Sequence, residues 1–256
     1  INVIEEYLFE ECKSLKQITI PSSVTSIKKN AFKDCLKMTQ ITFNHPSSLK
    51  TICESSFQKC ASLESLRIPS SVKKIEKKSF SNCTSLKEIT FESPSSLETI
   101  HECCFLNCKS LVEISIPSSV TEIQSNSFQN CTSLKILTVS SSVKIIEKES
   151  FRNCLSLSKI VFDKKSSLLS IKWKAFNDCK SLKEIEIPSS VTEIESCAFS
   201  GCCSIEKINF VEPSSLISIG YSVFEKCELV KEISIPSSVT SIYYGFLLDL
   251  ISLEKA

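Results

Sequence analysis

The sequence predicts one continuous solenoid of stacked rungs joined by parallel strands. Three observations carry that prediction. A cysteine recurs at a nearly fixed stride from Cys12 to Cys227, ten of the 15 phenylalanines fall in one column of that stride, and a strand-like L-x-x-I-x-I stretch returns with small changes in each unit. A unit of this size cannot bury its own apolar side, so neighbouring units must share a core.

The ruler is Cys12, Cys35, Cys60, Cys83, Cys108, Cys131, Cys154, Cys179, Cys202 and Cys227, at spacings of 23, 25, 23, 25, 23, 23, 25, 23 and 25 residues. The short unit reads C-x-S-L-x-x-I-x-I-P-S-S-V-x-x-I-x-x-x-x-F-x-x. The long unit usually replaces I-P-S-S-V with F-x-x-P-S-S-L, and the unit from Cys131 carries "VSSSV" without proline. L-x-x-I-x-I has inward positions two apart and many β-branched residues, which predicts a strand. Pro-Ser-Ser predicts a corner, because proline lacks an N–H and serine hydroxyls bond nearby backbone. V-x-x-I predicts a second, short extended segment. The stretch from that isoleucine through the column phenylalanine to cysteine predicts one turn of 3₁₀ or α-helix. Ten to eleven rungs at about 4.8 Å each make a rod or arc of roughly 50 Å.

Residues 1–256 therefore read as a single solenoid. Residues 1–12 fit the second half of a unit, through Ile4, Phe9 and Cys12, and 243–256 fit a degenerate unit in which Leu247 and Leu250 replace the column Phe and Cys. Open ends of this kind fit either a fragment of a longer protein or end-to-end self-association.

The pattern "SLxxIxIPSSVxxIxxxAFxxC" resembles the BspA-like leucine-rich repeats from Ile4 to Leu253. The resemblance implies a right-handed leucine-rich-repeat superhelix with a parallel sheet on its concave side and turns on its convex side. It also implies a surface or secreted protein, an adhesin or antigen that binds host-cell or matrix proteins.

The residues themselves say less about function. With 30 basic and 29 acidic residues the net charge is +1, so no strong field directs the chain to nucleic acid. No apolar run approaches the roughly 20 residues of a membrane helix, and no charged-then-apolar leader opens the chain. There is no G-x-S-x-G, H-E-x-x-H or glycine-rich phosphate loop, so no catalytic residue and no cofactor are expected.

The thiols invite a redox or metal reading, but a column of cysteines is more simply a column of small buried side chains. Side chains pointing the same way from adjacent rungs hold Cβ atoms about 4.8 Å apart, against about 3.8 Å in a disulfide. They are expected to be reduced. No C-x-x-C exists and His45 and His101 fall at different repeat positions, so no zinc site is expected. Thiol usage by itself leans toward a cytoplasmic protein, an intracellular scaffold or self-assembling rod.

Two surfaces stand out. On the predicted concave strands, Ile136, Thr138 and Val161 form an apolar spot beside Lys159, with Glu113 and Glu184 on the flanking strands. An apolar spot with a polar rim suits a protein contact. Trp173, Tyr221 and Tyr244 share another column, two residues past the column isoleucine, and form a secondary aromatic candidate. Asn82 and Asn130 each begin an N-C-T sequon and are glycosylation candidates on exposed turns.

Overall fold

The computed structural model describes residues 1–246 and 248–255. V-x-x-I builds the continuous spine. Eleven two-residue strands, from Val3–Ile4 to Ser241–Ile242, pair in parallel and strictly in chain order. Their isoleucines stand in register, Ile4 beside Ile27 and Ile27 beside Ile52, and from Ile4 to Ile219 they turn into the core, while Ile242 of the last strand is exposed.

The L-x-x-I-x-I stretches form longer strands on the concave face: Gln17–Ile20, Gln40–Phe43, Ser65–Ile68, Glu88–Phe91, Glu113–Ser115, Ile136–Val139, Lys159–Phe162, Glu184–Ile187 and Lys207–Phe210. Alternation buries the second residue of most of them and sends the first and third to solvent. Unlike the spine, this face is in pieces. The Gln17 and Gln40 strands pair, the five from Ser65 to Lys159 pair, and the Glu184 and Lys207 strands pair.

The Ser-Ser corner works in two ways. In several short units the second serine of the corner reaches back one rung: Ser71 donates to the Leu49 carbonyl, Ser142 to Val120 and Ser190 to Leu168, at 2.7–2.8 Å, whereas the equivalent Ser119 and Ser238 hydroxyls find no partner among the described residues. In long units the first serine closes a local turn, accepting the N–H two residues on, as Ser47 does from Leu49 and Ser95 from Leu97.

The convex side corrects one expectation: it is built of turns, with no helix among the described residues. Bonds of the 3₁₀ type do form there, such as Ala31 N–H to Lys28, Lys33 to Asn30 and Cys35 to Phe32. A left-handed residue at every fourth position stops them from propagating: Asn30 and Asp34 have φ of 56° and 61°, and Asn126 and Asn130 have 58° and 61°. The N–H groups of Asn30, Phe32 and Asp34 turn instead to the carbonyls of Glu54, Ser56 and Gln58 on the next rung. The convex backbone is thus a third inter-rung ladder.

Between the ladders lies the core. Ten phenylalanines, Phe9 to Phe224, stack with centroids 4.9–5.6 Å apart and planes within 16° of parallel. Carbon contacts optimise near 3.5–4.0 Å, so rings on this spacing pack slipped rather than face on. Next to most of these rings sits a small residue, such as Ala31, Ser56, Ser79 or Cys104, leaving room for the turn. Phe246 enters this small-residue column in the last rung and meets Phe224 edge-on at 5.9 Å, and Leu250 is buried in the cysteine column. Leu247, expected in the phenylalanine column, lies outside the described residues.

All 15 cysteines are free thiols. From Cys35 onward each column thiol points at the phenylalanine carbonyl of the rung before it: Cys35 Sγ to Phe9 O at 3.0 Å, Cys83 to Phe57 at 3.3 Å, Cys131 to Phe105 at 3.4 Å. That carbonyl already accepts the cysteine N–H of its own rung, so the thiol supplies its second bond. Burial pushes these thiols up from the ordinary 9.0, Cys35 to about 11 and Cys83 and Cys131 to about 12.

Two outcomes follow from this core. Phe128→Ala opens a cavity in mid-stack and should lower stability by about 3–5 kcal/mol, read as a drop in the urea midpoint; a loss below about 1 kcal/mol would mean the stack is not the core's main contribution. Unfolded thiols ionise near 9.0 while Cys83 and Cys131 hold their protons to about 12. Above that lower value the unfolded chain binds fewer protons, so stability is full below about pH 8 and falls as pH rises from about 9. A midpoint that stays flat to about pH 11 would contradict the buried-thiol account.

Candidate functional site

The breaks in the concave face follow the repeat lengths. Short-to-long steps pair at four positions: Gln17 to Gln40, Ser65 to Glu88, Ile136 to Lys159 and Glu184 to Lys207 strands. Long-to-short steps pair weakly or not at all. The Gln40 and Ser65 strands are unpaired, Glu88 and Glu113 share one register pair, and the Lys159 and Glu184 strands are unpaired. After Lys207–Phe210 the next rung makes only the bridge Glu232 to Lys255. The spine keeps its register through these steps, with Ile52 beside Ile75 and Ile171 beside Ile194. The two extra residues of a long unit lie at the corner after its concave strand, and the concave strands splay where a short unit follows a long one.

Three of these steps open into cavities: about 320 Å³ between the Glu88 and Glu113 strands, 480 Å³ between the Lys159 and Glu184 strands, and 760 Å³ beyond the Lys207 strand. At the Gln40 step the Glu64 N–H still reaches the Thr39 carbonyl at 3.3 Å.

The central cavity collects three of the six residues singled out on this face. Lys159, Val161 and Glu184 line it, together with Phe162, Glu186 and Asn209. Ile136 and Thr138 sit on the closed side, beside Lys159 and Val161 in register, with Ile136 39% exposed. Glu113 lines the smaller cavity instead. The splay half-exposes Ile160, whose equivalents Ile89, Ile114, Leu137 and Ile185 are buried. Lys159 and Asp163 donate to Lys135 and Val139 on the preceding rung. Strand alternation then turns the backbone of Ile160 and Phe162 into the cleft, where no described strand pairs with it.

The aromatic column is less unified than its spacing suggests. Tyr221 packs on Tyr243, centroids 5.0 Å apart and tilted by 42°, while Tyr244 stands out in solvent. Trp173 is separated from them by the rung of Ser196, whose hydroxyl accepts the Tyr221 N–H at 3.1 Å. Lys174 covers the Trp173 ring, its Nζ 4.4 Å from the centroid.

Asn82 and Asn130 belong to a ladder that the sequons did not reveal. Asn107 donates to Asn82, Asn130 to Asn107 and Asn153 to Asn130, each amide to the next carbonyl oxygen at 2.9 Å. All four are half-buried and left-handed, a conformation asparagine tolerates better than most residues. A glycan on Asn130 Nδ2 would have to displace its bond to Asn107.

Elsewhere, His101 is half-buried, its Nδ1 3.1 Å from Gln124 Oε1, and burial followed by nearby Lys74 lowers its pKa. Among the described residues no group of three or more His, Cys, Asp or Glu could hold a metal ion, and no helix is long and apolar enough to cross a membrane.

A parallel-strand solenoid with a segmented concave face and turns behind it defines a leucine-rich-repeat protein. The family model of the BspA type leucine rich repeat region, in six copies, matches residues 2–135, 91–167 and 162–256, and the chain belongs to that family. A leucine-rich repeat protein from Eubacterium ventriosum superposes with a TM-score of 0.58 at 20% identity, covering 99% of this chain and 80% of the other. A leucine rich cell surface protein from Faecalibacterium prausnitzii aligns at 23% identity, covering 95% and 83%, with a TM-score of 0.43. A leucine-rich repeat protein from Bacteroides ovatus aligns at 24% identity over 95% and 87%, with a TM-score of 0.40. No curated protein matches the chain.

Asn130→Ala removes two ladder bonds and leaves alanine in a left-handed position. It should cost about 3 kcal/mol, from about 1 kcal/mol for each neutral bond and about 1 kcal/mol for an alanine held left-handed. Asn130→Gly, free of the backbone strain, should cost less; equal losses in thermal melts would mean that the amides, not the conformation, set the residue.

Proposed function

We propose that the protein is a non-catalytic binding module whose concave face takes a protein partner. The observation that carries this reading is the central cleft. It lies midway along the solenoid, opens half-buried apolar groups (Ile160, Val161, Phe162) to solvent and is rimmed by Lys159 and Glu184, with exposed Ile136 beside it. Concave solenoid faces are extended binding surfaces, and an apolar floor with a charged rim is the usual make-up of a protein contact. The leucine-rich-repeat family and fold are typically non-catalytic, consistent with a binding role.

Within that class, a cell-surface adhesin or antigen that binds host-cell or matrix proteins is the reading the family supports. The free thiols favour a second one, an intracellular scaffold in a reducing compartment. Antibody labelling of intact source cells, repeated after protease shaving, separates them. Signal lost on shaving supports the surface role, and signal seen only after permeabilisation supports the scaffold.

The binding face has its own test. In solid-phase binding to immobilised extracellular-matrix proteins, the double variant Ile136→Asp with Val161→Asp should lower affinity tenfold or more, about 1.4 kcal/mol, with an unchanged melting temperature. Saturable binding that survives both charges would move the site off this face.

A further inference from the structure

The three cavities share a construction that one isolated contact spot would not need. Each contains the phenylalanine that ends a long strand, Phe91, Phe162 or Phe210, and a glutamate from the facing segment, Glu113, Glu184 or Glu232. Acidic side chains outnumber basic ones in every lining, three to none in the first and three to two in each of the others, although the whole chain carries a net charge of +1. Glu92 already binds Arg67 and Glu232 already binds Lys255, each at 3.0 Å, whereas Glu113 and Glu184 have no ion pair among the described residues. The central cleft also holds backbone carbonyls that lack strand partners. The first two clefts are therefore slots between two strands with an aromatic end and an excess of acceptors, and the third lies between the Lys207 strand and the segment of Glu232.

We propose that these clefts are successive seats for arginine side chains on one extended segment of a protein partner lying along the concave face. This rests on the concave-face reading above and adds the chemistry of the guest. A guanidinium is planar and enters a slot that a tetrahedral ammonium fills poorly. Its five donors meet the glutamate and the free carbonyls together, and its faces stack on phenylalanine. Phe162 and Glu184 line one cavity, and Phe91 and Glu113 another, so ring and carboxylate are within reach of one side chain.

The spacing of the seats is fixed by the repeat lengths. Three rungs separate the Glu88–Glu113 cleft from the Lys159–Glu184 cleft, and two more lead to the cleft after Lys207. At about 4.8 Å per rung these are about 14 and 10 Å. An extended or polyproline-type chain advances about 3.1–3.3 Å per residue, so the guest arginines stand three or four residues apart.

Fluorescence anisotropy tests this with labelled peptides that carry two arginines, offset by one to six positions, in a Gly-Ser-Thr background. Affinity should peak at offsets of three and four. It should fall about tenfold in Glu184→Gln, as expected for loss of a charge-assisted bond, and stay unchanged in Glu98→Gln, an exposed glutamate outside the clefts. Affinity that ignores the offset, or that is the same in Glu184→Gln, overturns the proposal. So does the absence of peptide binding in a protein whose matrix binding is lost in the Ile136→Asp, Val161→Asp variant, and that outcome leaves the concave-face reading standing.

Discussion

The rest of the structure depends on the rung spacing that backbone hydrogen bonds impose. Parallel strands sit about 4.8 Å apart, and every side-chain column has to find an interaction that works at that repeat. Phenylalanine does so by slipping its rings, at 4.9–5.6 Å. Asparagine does so by donating one amide bond back to the preceding rung at 2.9 Å. Cysteine does so through a thiol small enough to pack and polar enough to give the previous phenylalanine carbonyl its second donor. Valine would fill that space but leave the carbonyl with one bond. Serine would give a stronger bond at a greater desolvation cost on ten successive rungs.

The same constraint decides where the molecule yields. Two rungs of different length can agree in only part of their path. The spine isoleucines and the convex ladder, which hold the core, stay in register at every step. The concave strands, with one side open to water, tolerate splaying because water can satisfy the backbone groups released there. Length variation therefore turns into clefts on the face that is free to receive a partner, while the core is left intact.

Much of this was legible in the sequence, and the division has a physical reason. The columns of Phe, Cys and Ile were plain because burial at a fixed repeat admits few residue types. The placing of Lys159, Val161 and Glu184 near one another followed from counting rungs. The cavity joining them was not seen, because it arises from a mismatch between consecutive units rather than from any residue. Its signal was present in the alternation of 23 and 25 residues. The convex turns were misread as helical for a related reason. The stretch from isoleucine to cysteine has helix-compatible spacing, and only the left-handed residues, Asn in some rungs but Lys, Glu or Ser in others, break it. Backbone geometry forced by neighbouring rungs overrode residue preference at Lys59, Lys78 and Glu149.

A solenoid with this division of labour is stiff along one side and adjustable along the other. At a long-to-short step, one inter-rung sheet of the three is lost or cut to a single register pair while the spine and the convex ladder continue, so the step is weakened without being broken. In a nearest-neighbour chain of rungs, stability is the sum of such interfaces, and the splayed ones contribute least. A partner that fills a cleft bridges two segments the chain itself joins weakly or not at all, and so tightens the weakest interfaces. Recognition and rigidity are then linked: the places where the concave sheet is least cohesive are those where an added contact changes the molecule most.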